Sequence, residues 1–351
     1  GCFPQAFPSE AEKSGADIVT GNASKGSIPR IIEKYLADRK KTVEITPMPT
    51  VYEDIELCRQ GEKTRAFIKI EDGCNRFCSY CIIPYARGRV RSRSIGDIVA
   101  EVTECAEAGQ KEIVLVGINL SCYGQDIGKN LADAVEAVCA VRGVERVRLS
   151  SLEPELLDEE MLSRLGAQEK LCPHFHLSLQ SGSDGTLKRM NRHYTADEYY
   201  EIVCNIRRRF PDAAITTDIM VGFAGETEEE FERSLAFIRK CAFADMHIFP
   251  YSRRPGTPAA DMPGQLGNAV KEARSRAAIA VAKEMREEYL RALIGTEQEV
   301  LFEEAEGGLW TGHAMNYVKV WAEGEDLHNQ VKKVKITGLH KEGVMGAVID
   351  N

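Results

Sequence analysis

The 351-residue chain has no apolar run near the ~20 residues that a membrane-spanning helix needs, so no membrane partner is expected. Its N-terminus, GCFPQAFPSE, lacks the basic n-region and apolar h-region of a signal peptide. It also lacks an initiator Met and opens on a turn-like stretch, so we expect the chain to begin inside a domain. Internal repeats and low-complexity tracts are absent. Positive charge is in deficit, with 45 Lys plus Arg against 54 Asp plus Glu and a net charge of −9. That balance excludes indiscriminate adhesion to polyanions, and a nucleic-acid partner would have to be held by a local basic patch. Eleven cysteines is an odd number, in a chain too long to need disulfide staples. With no export signal they read as reduced cytoplasmic thiols and metal ligands.

What is present falls into three parts. Residues 1–58 read as a short α/β piece, with a strand and turn at 16–21, a helix over 28–39 and a Pro-bearing linker from Thr42 to Gly61. Residues 59–294 form a second unit with strand-like runs at 65–70, 112–117, 146–150, 174–179, 214–221 and 245–249. Amphipathic helices separate them at 95–108, 131–141, 158–165, 196–209 and 228–240, and a long charged helix over 269–293 closes the unit. Six strands alternating with helices predict an α/β fold, a parallel sheet whose ligands gather at the strands' C-terminal ends. Residues 295–351 switch to five short β-like runs, expected to form a small β-barrel.

Cys74, Cys78 and Cys81 form a C-x3-C-x2-C run directly after the first strand of the sheet. Three thiolates in one loop can bind three irons of a four-iron cluster and leave the fourth open for chemistry. A structural zinc site would want a fourth Cys or His at similar spacing. Cys105, the one Cys within the next forty residues, falls inside a helix. Three unligated thiols in a Gly-, Arg- and Pro-bearing loop are the blandest alternative.

The spacing, with Tyr80 before the last Cys, resembles the signature of the radical S-adenosylmethionine (SAM) superfamily. The stretch Gly73–Arg93, GCNRFCSYCIIPYARGRVRSR, narrows the likeness to the methylthiotransferase family. The likeness continues through Gly117-Ile118-Asn119, Ser150 to Pro154, His176 to Ser183, Leu187 to Met190, Asp218 to Phe223 and Phe249 to Ser252. It implies a partial (β/α)6 barrel holding a [4Fe-4S] cluster on Cys74, Cys78 and Cys81. SAM would chelate the open iron, and reductive cleavage would yield a 5′-deoxyadenosyl radical. Ser151-Leu152-Glu153-Pro154 and Gly117-Ile118-Asn119 look most like the branch that methylthiolates C2 of N6-threonylcarbamoyladenosine at tRNA position 37. Isopentenyladenosine and a ribosomal-protein aspartate are the rival substrates within the family. A chain that binds tRNA and SAM without completing sulfur transfer is the rival of another class. The resemblance further implies a TRAM-like C-terminal domain, the tRNA anticodon stem-loop as partner, an electron donor such as flavodoxin or ferredoxin, and a monomer. Of the family's three N-terminal cysteines, which bind a second [4Fe-4S] cluster, only Cys2 is found here, so that cluster is expected only in the full-length protein. Ala224 stands where the family has Pro, implying a slightly looser turn.

The remaining candidates carry bland readings beside the functional ones. Gly117 would let backbone approach SAM, or be a plain turn glycine. Glu153 and Gln180, at strand ends, suit ribose or amino groups, or structural capping. Asp218 is an inward polar residue or a strand-end anchor. Gly222 is expected to shape the turn near the adenine. Glu226 is explained by the dipole of the helix that follows. Arg87, Arg89, Arg91 and Arg93 recur every second residue and, in an extended segment, would form a phosphate rail, which Arg253 and Arg254 could extend. In the acidic C-terminal part, RNA would be met by Lys332, Lys333 and Lys335, with Tyr317 or Trp321 stacking or simply packing in the core.

Overall fold

The computed structural model describes residues 1–23, 25–54 and 63–349. Cys58 and the expected domain boundary at residues 58–59 lie outside the described residues. At the N-terminus two short helices, α1 (Cys2–Ala6) and α2 (Pro8–Glu12), stand where a turn was expected. Pro8 opens the second with its φ already helical. Strand β1 (Ile18–Thr20) leads to helix α3 (Ile28–Asp38) and then to β2 (Thr42–Glu44), which pairs with β1 in parallel. The expected linker therefore begins with a strand, because Val43 meets Val19 in register.

The second unit opens with β3 (Arg65–Lys69) and a small hairpin of β4 (Glu71–Asp72) and β5 (Arg91–Ser92), with helix α4 (Ile83–Arg87) inside its loop. Next come α5 (Ile95–Glu107), β6 (Glu112–Val116), α6 (Leu131–Cys139), β7 (Arg146–Leu149), β8 (Ser151–Leu152) and α7 (Glu159–Gly166). They are followed by β9 (His174–Leu177), α8 (Asp184–Arg189), α9 (Ala196–Arg209), β10 (Ala214–Val221), α10 (Glu228–Cys241), β11 (Asp245–Pro250) and α11 (Asn268–Ala292). Five of these helices start where their sequence says they should. Ser94, Asn130, Asp158, Thr195 and Thr227 each accept a hydrogen bond from the backbone N–H three residues on, a cap worth about 1 kcal/mol.

The strands form a parallel wall. β3, β6 and β7 make one stretch, and β8, β9, β10 and β11 make the other. β7 and β8 are separated by Ser150 alone, and a bridge between Val147 and Leu171 joins the stretches, giving a six-stranded partial barrel. Alternation along each strand sorts its side chains. Ile113 and Leu115 enter the apolar core under the helices, while Val114 and Val116 line a concave cavity of about 450 Å³ with His176, His247 and Tyr317.

The C-terminal strands β12 (Glu297–Glu306), β13 (Leu309–Ala314), β14 (Lys319–Ala322), β15 (Val331–His340) and β16 (Gly343–Val348) close into a barrel in the order β12-β13-β14-β16-β15. Tyr317 takes a left-handed φ of 69° in the turn before β14. This small barrel docks at the N-terminal ends of the wall's strands. Arg146 and Arg148 share Glu112 at 2.7 and 2.8 Å and donate to the His313 and Met315 carbonyls. Arg65 pairs with Glu303 at 2.8 Å. Burial alone would raise the Glu112 carboxyl, but the two guanidinium groups outweigh it and hold it down at about 2.

Candidate active site

The loop carrying the three cysteines leaves the C-terminal end of β3 and folds back as the β4–β5 hairpin. Gly73 begins it with a φ of +96°, where a side chain would run into the Arg89 carbonyl. That combination explains a glycine there. Three segments then grip the loop's backbone. The Cys74 N–H donates to the Gly88 carbonyl at 3.1 Å, the Ser79 N–H to Met190 at 2.9 Å, and the Ala259 N–H to Ser79 at 2.8 Å.

Cys78 is buried and Cys74 and Cys81 are half-buried. Burial, joined by the neighbouring thiols, pushes the Cys74 thiol up and the Cys81 thiol up to about 11. A bound cation such as iron reverses such a rise, because it binds the thiolate form. Among the described residues no three His, Cys, Asp or Glu side chains surround a point that would hold a single ion. A four-iron cluster does not ask for that, since each thiolate takes its own iron. Hydrogen-bond donors face the sulfurs: Arg192 Nη1 lies 3.3 Å from Cys78 Sγ, Asn119 Nδ2 3.7 Å from Cys74 Sγ, and the Arg76 N–H 3.4 Å from Cys74 Sγ. The donor set therefore fits an iron–sulfur cluster.

Around the loop stand the ends of the other strands. Gly117 has an ordinary φ, but a Cβ there would lie 2.7 Å from Glu71 Oε2. The same oxygen accepts from the Asn119 N–H at 2.8 Å. Burial pushes the Glu71 carboxyl up to about 8. Two acceptors here, Asn119 Oδ1 and Gln180 Oε1, are buried and have no partner among the described residues. Gln180 also sits at a left-handed φ of 68°, pinned by backbone hydrogen bonds to Asp218 and Met220. Backbone strain in a non-glycine residue persists where the surroundings over-determine it. Tyr80 packs edge-on against Phe223, which in turn meets Tyr251.

The comparisons with known proteins agree with this geometry. Residues 68–238 match the family model described as the radical SAM superfamily. The chain is 37% identical over 347 residues to the threonylcarbamoyladenosine tRNA methylthiotransferase MtaB of Bacillus subtilis, covering 96% of this chain and 77% of that protein. It is 39% identical over 335 residues to the protein of the same name from Aquifex aeolicus, covering 92% and 79%. It is also 38% identical over 310 residues to a tRNA-2-methylthio-N(6)-dimethylallyladenosine synthase of Caldicellulosiruptor saccharolyticus, covering 86% and 66%. The chain belongs to the radical SAM tRNA methylthiotransferase family. That family implies a [4Fe-4S] cluster and SAM, and no helix among the described residues is long and apolar enough to cross a membrane.

For this methylthiotransferase several expectations need correction. Glu153 is no free ligand for ribose, since it makes a two-pronged pair with Arg192 at 3.1 and 2.6 Å. Asp218 lies mid-strand on the concave face, 3.4 Å from His176 and 3.9 Å from His247, so it is the inward residue and not the anchor. The Gly222 N–H donates to Glu226 at 2.7 Å, and Glu226 is buried against Arg274 at 2.7 Å, so the helix dipole is not what places it. The arginine rail does not form, because its residues sit in a helix and a short hairpin strand, not one extended run. Arg87 pairs with Asp72, Arg91 is 3% exposed and bound to the carbonyls of Arg87 and Arg89, and Arg93 is buried against Glu101 and Asp54. Arg89 alone is exposed, with its guanidinium 4.4 Å from the Phe77 ring. Arg253 and Arg254 are exposed on the loop after β11, and Arg254 is close enough to Cys81 to affect its thiol.

On the C-terminal barrel Lys333 and Lys335 are exposed on β15, opposite Glu299 and Glu297 in register, and Lys332 is half-buried. Trp321 is fully buried, so it packs and does not stack on bases. The Tyr317 ring is occupied by His313 at 4.9 Å, His174 at 5.0 Å and Arg148 at 4.7 Å. Cys2 lies against α4, where burial raises its thiol but Asn22 (3.2 Å) and Arg87 more than reverse that. Sequence reasoning passed over Glu71 and Arg192. An acid ending a buried strand was a visible signal for the first. The second, in a polar loop, gave none.

Proposed function

We propose that this chain methylthiolates C2 of N6-threonylcarbamoyladenosine at position 37 of tRNA. The reading rests on the three-cysteine loop together with relatives of that printed name at 37 and 39% identity over more than nine-tenths of the chain. When bound, the cluster and SAM supply a radical able to attack a carbon that polar reagents leave untouched. Cys74, Cys78 and Cys81 hold the iron. Asn119 Oδ1 and Gln180 Oε1 are buried acceptors that match the amino and hydroxyl donors of SAM. Tyr80, Gly117 and Gly222 shape the walls of that site, and Glu153 acts through Arg192. Asp218 with His176 and His247 lines the concave face on which a flipped-out base would sit; the anticodon loop is single-stranded, so little base pairing is lost. Arg89, Arg253 and Arg254 are exposed cations on the cluster's side of the molecule. Lys333 and Lys335 lie on the C-terminal barrel at the other end of the strands and are a separate RNA contact.

Cys2, its thiolate favoured by Asn22 and Arg87, is a candidate ligand of the family's second cluster. A cytoplasmic monomer reduced by a flavodoxin or ferredoxin completes the proposal. The test is mass spectrometry of tRNA after anaerobic incubation of the protein with SAM and reductant. Threonylcarbamoyladenosine tRNA should gain the methylthio group. Modification of isopentenyladenosine tRNA instead would move the protein to the other branch.

A further inference from the structure

Arg192 is buried and fully hydrogen-bonded, and one of its partners is a sulfur. Its Nε–H donates to Tyr194 Oη at 2.9 Å. Nη1 donates to Glu153 Oε1 at 3.1 Å and to Cys78 Sγ at 3.3 Å. Nη2 donates to Glu153 Oε2 at 2.6 Å and to the Ser178 carbonyl at 2.8 Å. A guanidinium has five N–H donors, and here all five are used. The side chain is 3% exposed. Its loop is fixed as well, because Met190 and Arg189 carbonyls accept from Ser79, and Asn191 Nδ2 donates to the Phe77 carbonyl at 3.0 Å.

The three sulfurs are thus unequally treated. Cys74 receives neutral amide donors from Arg76 and Asn119, whereas Cys78 receives a buried cation. We propose that Arg192 is a positioning residue that raises the reduction potential of the [4Fe-4S] cluster through Cys78, and that Glu153 moderates it. Adding an electron makes the cluster more negative, and a nearby positive charge with a hydrogen bond to a ligand sulfur favours that state. Glu153 partly cancels the charge while fixing its direction. The proposal rests on the reading that Cys74, Cys78 and Cys81 hold the cluster.

The test is an anaerobic redox titration of the iron-loaded chain, followed by electron paramagnetic resonance, with and without SAM. Arg192→Met should lower the midpoint potential, Arg192→Lys should lower it less, and Glu153→Gln should raise it. An Arg192→Met protein that keeps its iron and its wild-type midpoint overturns the proposal. So does a shift seen only when SAM is present, which would assign Arg192 to SAM and not to the sulfur. If Arg192→Met loses its iron, Glu153→Gln decides, and an unchanged or lower midpoint there overturns the proposal. A wild-type chain that takes up no cluster would overturn the parent reading and this one with it, and iron and sulfide content tells the two failures apart.

Discussion

Glu71 Oε2 accepts the Asn119 N–H at 2.8 Å while Asn119 Nδ2 lies 3.7 Å from Cys74 Sγ, and these contacts tie the Gly117–Asn119 turn to the cysteine loop. A methyl group on Gly117 would stand 2.7 Å from the same oxygen. Gly117→Ala should therefore displace the turn and weaken SAM binding at least tenfold, a loss of about 1.4 kcal/mol. Calorimetric titration of SAM into the cluster-loaded protein measures it, and unchanged affinity would show that the turn is not part of the SAM site.

The same carboxyl gives a pH signature. Burial raises the folded Glu71 to about 8 from an ordinary 4.5. The folded state then binds more protons than the unfolded one, so Glu71's contribution to stability falls as pH rises from about 4.5 to 8. Glu71→Gln removes this dependence. Urea midpoints of the two proteins at pH 5.5 and 8 should show the variant gaining on the wild type at the higher pH, and parallel midpoints would contradict the assignment.

At the opposite end of the sheet, Glu112 is held at about 2 by Arg148 and Arg146. Its contribution is present above the ordinary carboxyl pKa and lost as pH falls towards 2. Glu112→Gln leaves two buried guanidinium groups short of a counter-charge, with an expected loss of about 3–5 kcal/mol. Chemical denaturation near neutral pH reads it. A loss below 1 kcal/mol would mean that the carbonyls of the C-terminal barrel suffice for both arginines.

Iron content tests the cysteines. Replacing any one of Cys74, Cys78 or Cys81 by Ala should abolish 5′-deoxyadenosine formation and most of the ~4 irons of one cluster.

Charge reversal separates the arginines. Arg89→Glu should weaken tRNA binding and reduce the salt dependence by about one phosphate contact, as fluorescence anisotropy across a salt series would show. Arg91→Met and Arg93→Met should instead destabilise the fold, because those side chains are buried against the β4–β5 hairpin and the Asp54 and Glu101 carboxylates. Loss of tRNA affinity in a fully stable Arg91 or Arg93 variant would restore the phosphate rail.

Much of this architecture was legible from pattern alone. Strands with apolar residues on both faces, and helices opened by Ser94, Asn130, Asp158, Thr195 and Thr227, follow from side-chain periodicity and capping, which act within a few residues. The cysteine triplet was legible for the same reason, since its three thiols lie within eight positions of one loop. The arginine repeat misled because spacing of two implies one face only in an extended chain, and here a helix end and a hairpin intervene.

The order of elements, the cluster loop and the family were thus determined by the sequence itself, through interactions short enough to be read along the chain. Which cations meet solvent and which meet a buried carboxylate was decided only by the tertiary structure. Arg192 reaches Cys78 across 114 positions, and Asn119 reaches Cys74 across 45. Such contacts exist because the parallel sheet brings the ends of all its strands to one rim, and no local pattern encodes which side chains will then face each other.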